Sequence, residues 1–230
     1  MKRLSFLILV LALLLSCAAC TDTDSGNGTL STNENNGAPS APVVSLETSC
    51  TDTYPTAAAQ TDFVQFTMVG GATFVVQLYP EYAPETVKNF KKLVSEGFYD
   101  GLSFHRIVED SMIQGGDPNG NGTGSSDERI YGEFALNGFT QNTLKHERGV
   151  ISMIRSSSND SASCQFCILL GDKPTMDGVY AAFGRVVSGM ETVNTIAELD
   201  VTAQPLSGEM TKPKQTPVIQ TATFVEYSVQ

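Results

Sequence analysis

The chain predicts a mainly β fold, a closed antiparallel barrel of about eight strands capped by two α-helices. Three observations carry that prediction. Short apolar runs of strand length recur between glycine- and proline-rich breaks, only two stretches place apolar residues at helical spacing, and no strand–helix–strand rhythm is present. The last point excludes a doubly wound parallel sheet.

The elements follow in order. Phe63 to Val69 and Ala72 to Tyr79 are β-rich runs separated by Gly70 and Gly71, a two-residue connection that closes a hairpin. Pro84 opens a helix in which Val87, Phe90 and Val94 recur on one face, Lys88, Lys91 and Lys92 lie outside, and Gly97 is the stop. Strand-like segments come next around Phe104 and Met112, then from Gly149 to Ile154, Gln165 to Leu170 and Ala181 to Val187. A second short helix from Met190 to Leu199 precedes a last strand from Val218 to Val229.

The most informative stretch is FHRIVEDSMIQGGDP, Phe104 to Pro118. Strand alternation puts Phe104, Arg106 and Val108 on one side and His105 and Ile107 on the other. An arginine on a mostly apolar strand face is either paired there or presented to a ligand, and taken alone a solvated edge arginine is the commoner case. Gln114 to Pro118 supplies a turn with close backbone approach.

This segment resembles the catalytic signature of the cyclophilins, the peptidyl-prolyl cis/trans isomerases. The resemblance continues through GEFALNGFTQNTLKHERGVISM from Gly132, SCQFCILL from Ser163, and MDGVYAAFGRVVSGM from Met176 to Met190. It implies the cyclophilin barrel with two capping helices over residues 61–230, and acceleration of X-Pro isomerisation in folding proteins with no cofactor and no metal. Rotation about X-Pro breaks amide resonance, a barrier of about 18–20 kcal/mol. The enzyme needs a socket for the proline ring and a donor that favours the twisted amide, whose nitrogen has regained a lone pair.

The resemblance assigns that donor to Arg106, whose guanidinium presents several fixed N–H groups, and places Gln114 as the residue orienting it. Substrate-binding positions fall on Phe104, Ser111, Met112, Ile154, Arg155, Gln165, Cys167, Thr175, Met176 and Tyr180. Departures are equally specific. Ser111 and Cys167 stand where the family carries pocket phenylalanines, Thr175 where many members carry tryptophan, and Tyr180 where many carry histidine. Two aromatic walls become small side chains, a loss of roughly 1–3 kcal/mol of proline binding per site. Weak turnover is the expectation, with Ile154, bulkier than the usual alanine, partly filling the emptied socket. The chain has no tryptophan, which implies weak cyclosporin binding.

Cys164 and Cys167 form a CxxC pair, the spacing of redox and zinc sites. Redox pairs open a helix, whereas CQFCILL reads as strand, where an offset of three puts the sulfurs on opposite faces. Zinc would need two further ligands, and His105 and His146 are the only histidines. Both are expected to be structural, since isomerisation transfers no proton. The expectation is two separate thiols, with Cys167 lining a pocket.

Lys2 and Arg3 precede an apolar run from Leu4 to Leu15, too short to span a bilayer and shaped as a secretory signal over residues 1–16. Its end, LLLSCAAC, resembles the lipobox of bacterial lipoproteins; Cys17 fits as the lipidated residue better than Cys20, with a plain cleaved signal as the alternative. Residues 17–60 are rich in Ser, Thr, Asn, Gly and Pro and read as a tether. A formal charge of −11, made more acidic when Lys2 and Arg3 leave with the signal, disfavours nucleic acid as a partner.

The expected protein is therefore a monomer, extracytoplasmic and lipid-anchored to a bacterial cell membrane, acting on proline-containing polypeptides. Two other readings stay open: a catalytically degenerate cyclophilin-fold module that binds proline-containing segments as chaperone or receptor, and a thiol oxidoreductase built on Cys164 and Cys167.

Overall fold

The computed structural model describes residues 62–227. The predicted signal, Cys17, Cys20 and the tether lie outside the described residues. Eight strands make one antiparallel sheet: β1 (Phe63–Met68), β2 (Thr73–Leu78), β3 (Arg106–Val108), β4 (Met112–Gly115), β5 (Val150–Met153), β6 (Phe166–Leu169), β7 (Ala182–Ser188) and β10 (Ile219–Phe224), in the order β10-β1-β2-β7-β5-β6-β4-β3. Two further strands, β8 (Val201–Ala203) and β9 (Met210–Pro213), form a separate hairpin that the sequence reading did not anticipate. Its bulge between Thr202 and Ala203 and its short strands blur the period-2 signal.

The sheet is a curled half-barrel rather than the closed barrel expected. Its edges, β3 and β10, share no ladder; a single bridge, Ser103 with Val218, links the segments beside them. Gly101, Phe104 and Ile219 add isolated backbone bonds across the seam, one of them ending on the Pro217 carbonyl. Pro217 has no N–H to return, and β3 is three residues long, so pairing cannot propagate there. At the other side, β1 and β10 run antiparallel with Val64 opposite Phe224, and the Val225 N–H donates to the Phe63 carbonyl.

The β1–β2 reversal is also longer than expected. Val69, Gly70 and Gly71 make the turn, closed by the Met68 N–H on the Ala72 carbonyl, and both glycines have positive φ (105° and 88°). Helix α1 (Pro84–Ser95) buries Val87, Phe90, Leu93 and Val94 and stops at Gly97 in the left-handed region, as its sequence predicts. Its N-terminus has no local side-chain cap. Instead the fully buried carboxylate of Glu133, 47 residues on, accepts from the N–H groups of Glu85 (3.0 Å) and Thr86 (2.8 Å). Helix α2 (Met190–Ala197) contacts β2.

The curled sheet and α1 enclose a core of aromatic rings. Phe66, Phe74, Phe90, Tyr99, Phe104, Phe166 and Phe183 are all fully buried, with Phe66 stacked on Phe74 at 4.8 Å. Offset and edge-to-face contacts of this kind add to the apolar burial itself. A second, smaller cluster of Val150, Cys167, Leu169 and Ala182 lies apart from that core, and it forms the floor of the site.

Candidate active site

Arg106 and Gln114 sit directly opposite each other on the β3–β4 hairpin. Eight residues apart in sequence, they are brought together by a turn at Val108 to Ser111, where the Ser111 N–H bonds to the Val108 carbonyl (3.0 Å) and Asp110 takes a positive φ of 53°. The Arg106 guanidinium donates from Nη1 to Gln114 Oε1 (3.2 Å). Gln114 in turn donates from Nε2 to Gln165 Oε1 (2.9 Å), and Gln165 Nε2 donates to the carbonyls of Gly124 (2.8 Å) and Gly122 (3.3 Å). Three predicted site residues therefore form one hydrogen-bonded chain.

The loop at its far end is organised by Asp117. That buried carboxylate accepts from the backbone N–H groups of Asn119, Asn121 and Gly122. Gly124 packs so closely that a Cβ there would lie 2.0 Å from Asp117 Oδ1. Backbone carbonyls are thus held rigidly enough to fix the Gln165 amide.

Beside this polar chain lies the smaller apolar cluster. Cys167 is fully buried at its floor, paired across strands with Gln114 and Ser152. Met112, Leu144, Ile154 and Met176, each partly buried, pack over that floor. Ile154 thus packs against the cluster that contains Cys167. Leu144 was not anticipated; it lies in an irregular segment with no periodic signal.

Thr175 and Met176 ride on a single 3-10 turn, Pro174–Met176. This turn is tied to β5 by His146, which contacts Asp177 Oδ1 through Nδ1 (3.1 Å) and Ser152 Oγ through Nε2 (3.0 Å). A neutral imidazole satisfies both, donating to the carboxylate and accepting from the hydroxyl. Ser152 is fully buried, so the trio is a strut and not a nucleophile. Burial depresses the His146 pKa in spite of Asp177, and it depresses that of His105 as well. Both histidines are structural, as expected.

Of the other predicted substrate contacts, Phe104 is placed elsewhere, whereas Arg155 lines a cavity with Ile154 and Gln165. Phe104 is fully buried against Phe74 and Phe166, because the regular strand begins only at Arg106 and the alternation expected from Phe104 onward does not hold. It backs the wall from inside the core. The Arg155 side chain lies between the rings of Phe134 (5.1 Å) and Tyr180 (4.9 Å), and bonds to the carbonyls of Val179 and Ser156. Its cation–π contacts also fix Tyr180. Ser111 is half-buried in the β3–β4 turn, where its carbonyl accepts from Leu170.

Sequence reasoning missed one residue at the centre. Glu209, at the start of the β9 arm, receives Arg106 Nη2 (2.7 Å) and Nε (3.2 Å) on its two carboxylate oxygens. A separation of 103 residues gave no local sign of the pair.

Such a site, a fixed guanidinium and two amides beside an apolar cluster, suits binding and polarising a peptide bond. The family of cyclophilin type peptidyl-prolyl cis-trans isomerases matches residues 63–224, and the chain belongs to it. Peptidyl-prolyl cis-trans isomerase B of Bacillus subtilis is 41% identical over 136 residues, 59% of this chain and 91% of that protein. Peptidyl-prolyl cis-trans isomerase cypE of Dictyostelium discoideum is 46% identical over 128 residues, 55% of this chain and 78% of the relative. Among solved structures, a Cryptosporidium parvum cyclophilin type isomerase determined in the presence of the dipeptide Ala-Pro has a TM-score of 0.62 at 26% identity, covering 72% of this chain and 99% of its own. The chain is a peptidyl-prolyl cis-trans isomerase by family and by its homologues.

Proposed function

We propose that this isomerase works on proline-containing polypeptides through Arg106, with Gln114 as its positioning partner and the recess over Cys167 as the proline socket. The observation that carries this reading is the cross-strand pair of Arg106 and Gln114 beside the apolar cluster of Met112, Ile154 and Met176. The proline ring loses apolar surface to water in the recess while a guanidinium N–H meets the imide nitrogen. That nitrogen accepts a hydrogen bond only when the amide is twisted, so the contact stabilises the transition state more than either planar isomer. No proton moves and no covalent bond is exchanged.

Exchange measurement by NMR on an Ala-Pro peptide tests it. Wild type accelerates interconversion, and Arg106→Ala returns it to the uncatalysed rate while retaining the fold, because the lost pair with Glu209 is a partly exposed one worth about 1 kcal/mol at most. The second reading, a binding module, rests on the substitution of Cys167 and the packing of Leu144, Ile154 and Met176 over it. Peptide binding without acceleration by the wild type is its signature.

The same reading places the protein outside a bacterial membrane, anchored through a lipid on Cys17 and acting as a monomer on exported chains. LLLSCAAC after an apolar run, followed by a polar tether, supports it. Cys17→Ser is expected to release the protein from the membrane fraction and abolish labelling by a radioactive fatty acid. Retained labelling that vanishes only in Cys20→Ser moves the anchor to Cys20.

A further inference from the structure

We propose that Glu209 is a positioning residue for the isomerase, holding the Arg106 guanidinium in the orientation that presents its remaining N–H groups to the substrate. The inference rests on the reading of Arg106 as the donor to the twisted amide. A guanidinium has five N–H groups. Glu209 takes one on Nε and one on Nη2, and Gln114 takes one on Nη1. That leaves two, one on each terminal nitrogen, and fixes the plane in which they lie.

Gln114 alone cannot do this. One hydrogen bond at 3.2 Å leaves the guanidinium free to rotate about it, and a long side chain at a half-exposed position samples several rotamers. A bidentate carboxylate removes that freedom.

The carboxylate is itself held in place. Glu209 accepts at its carbonyl from the N–H groups of Gln204 (2.7 Å) and Thr211 (2.9 Å), and its own N–H donates to Ser207 Oγ (3.2 Å). Gln204 is buried and reaches across to donate to the carbonyl of His105, the residue beside Arg106. Gly208, at a φ of +72°, completes the turn. The β8–β9 hairpin is thus pinned beside β3 by the Gln204 side chain, and Glu209 is placed before any substrate arrives.

The test uses the full chain with Glu209→Gln, which keeps size and removes charge, and Glu209→Ala. Two readouts are followed: kcat and KM for an Ala-Pro peptide, and the NMR signal of the Arg106 Nε–H. The expected result is a kcat lowered roughly 5- to 20-fold with KM within about twofold, and an Nε–H that shifts and exchanges faster with water in both variants. Melting temperature changes by less than about 3 °C, since the pair is partly exposed. Unchanged or raised kcat in a folded variant overturns the proposal, as does an Nε–H signal identical to wild type. Should wild type show no acceleration, the isomerase reading fails by itself, and the Nε–H signal still decides whether Glu209 orients Arg106.

Discussion

Cys167 lies under Met112, Leu144, Ile154 and Met176, and burial pushes its thiol up to about 12. A thiol so far from ionising is neither a nucleophile nor a ready redox partner. Cys164 belongs to the main core, is also raised by burial, and is likewise free. The two sulfurs serve different clusters on different faces, which removes the structural basis for a thiol oxidoreductase. In the piece spanning 61–230, where these are the only cysteines, both thiols should resist aromatic disulfide reagents under native conditions and react together on unfolding. Rapid native-state reaction of Cys167 would mean that the recess opens to solvent. At this scale the sequence was legible where spacing sets geometry, in the offset of eight across a tight hairpin; the offset of three is not on a strand, because Cys164 lies in the bend before β6 and only Cys167 is on it. Phe104 was misplaced because the chain becomes regular only two residues later, and a sequence pattern carries no marker of where alternation starts.

Helix α1 illustrates what local sequence leaves out. Its proline start, apolar face and glycine stop follow from rules that act within one turn. Its cap does not. Ala83 at the N-cap has no side chain to offer, and the helix relies on Glu133, whose charge also complements the N-terminal end of the helix dipole. Glu133→Ala is expected to cost about 1–3 kcal/mol in urea unfolding, since it strands buried N–H groups and removes charge-assisted bonds. A loss below about 0.5 kcal/mol would show that water replaces the carboxylate. Glu209 is legible from sequence no better than Glu133, and for the same reason: a carboxylate recruited from across the fold leaves no periodic trace. The β8–β9 hairpin that delivers it was missed because three- and four-residue strands with a bulge are too short to alternate visibly.

The molecule as a whole carries both histidines in buried, neutral form. Burial lowers both folded-state pKa values below the ordinary value near 6.5, so in acid the unfolded chain takes up protons that the folded chain resists. Stability is fully present above about pH 6.5 and falls as pH drops toward the depressed folded values. Melting temperature measured from pH 7 downward should therefore decline before the carboxylates titrate, and His105→Leu combined with His146→Gln should flatten that early decline. An identical slope in the double variant would assign the acid sensitivity to carboxylates instead. The mainly β class and the two helices were legible from strand-length apolar runs, from the two stretches of helical spacing and from the absence of crossover helices; the strand order was not. Closure was not, because it turned on one proline at the seam and on the brevity of β3.

The pairing of β1 with β10 has a bearing on how the domain is carried. Val64 faces Phe224, so the chain enters and leaves the fold at neighbouring points. A segment attached ahead of Phe63 holds the domain as a pendant rather than as a link in a line. Tension applied at that single point loads no path through the hairpin of Arg106 and Gln114, and a chain fused after Val225 leaves beside Phe63.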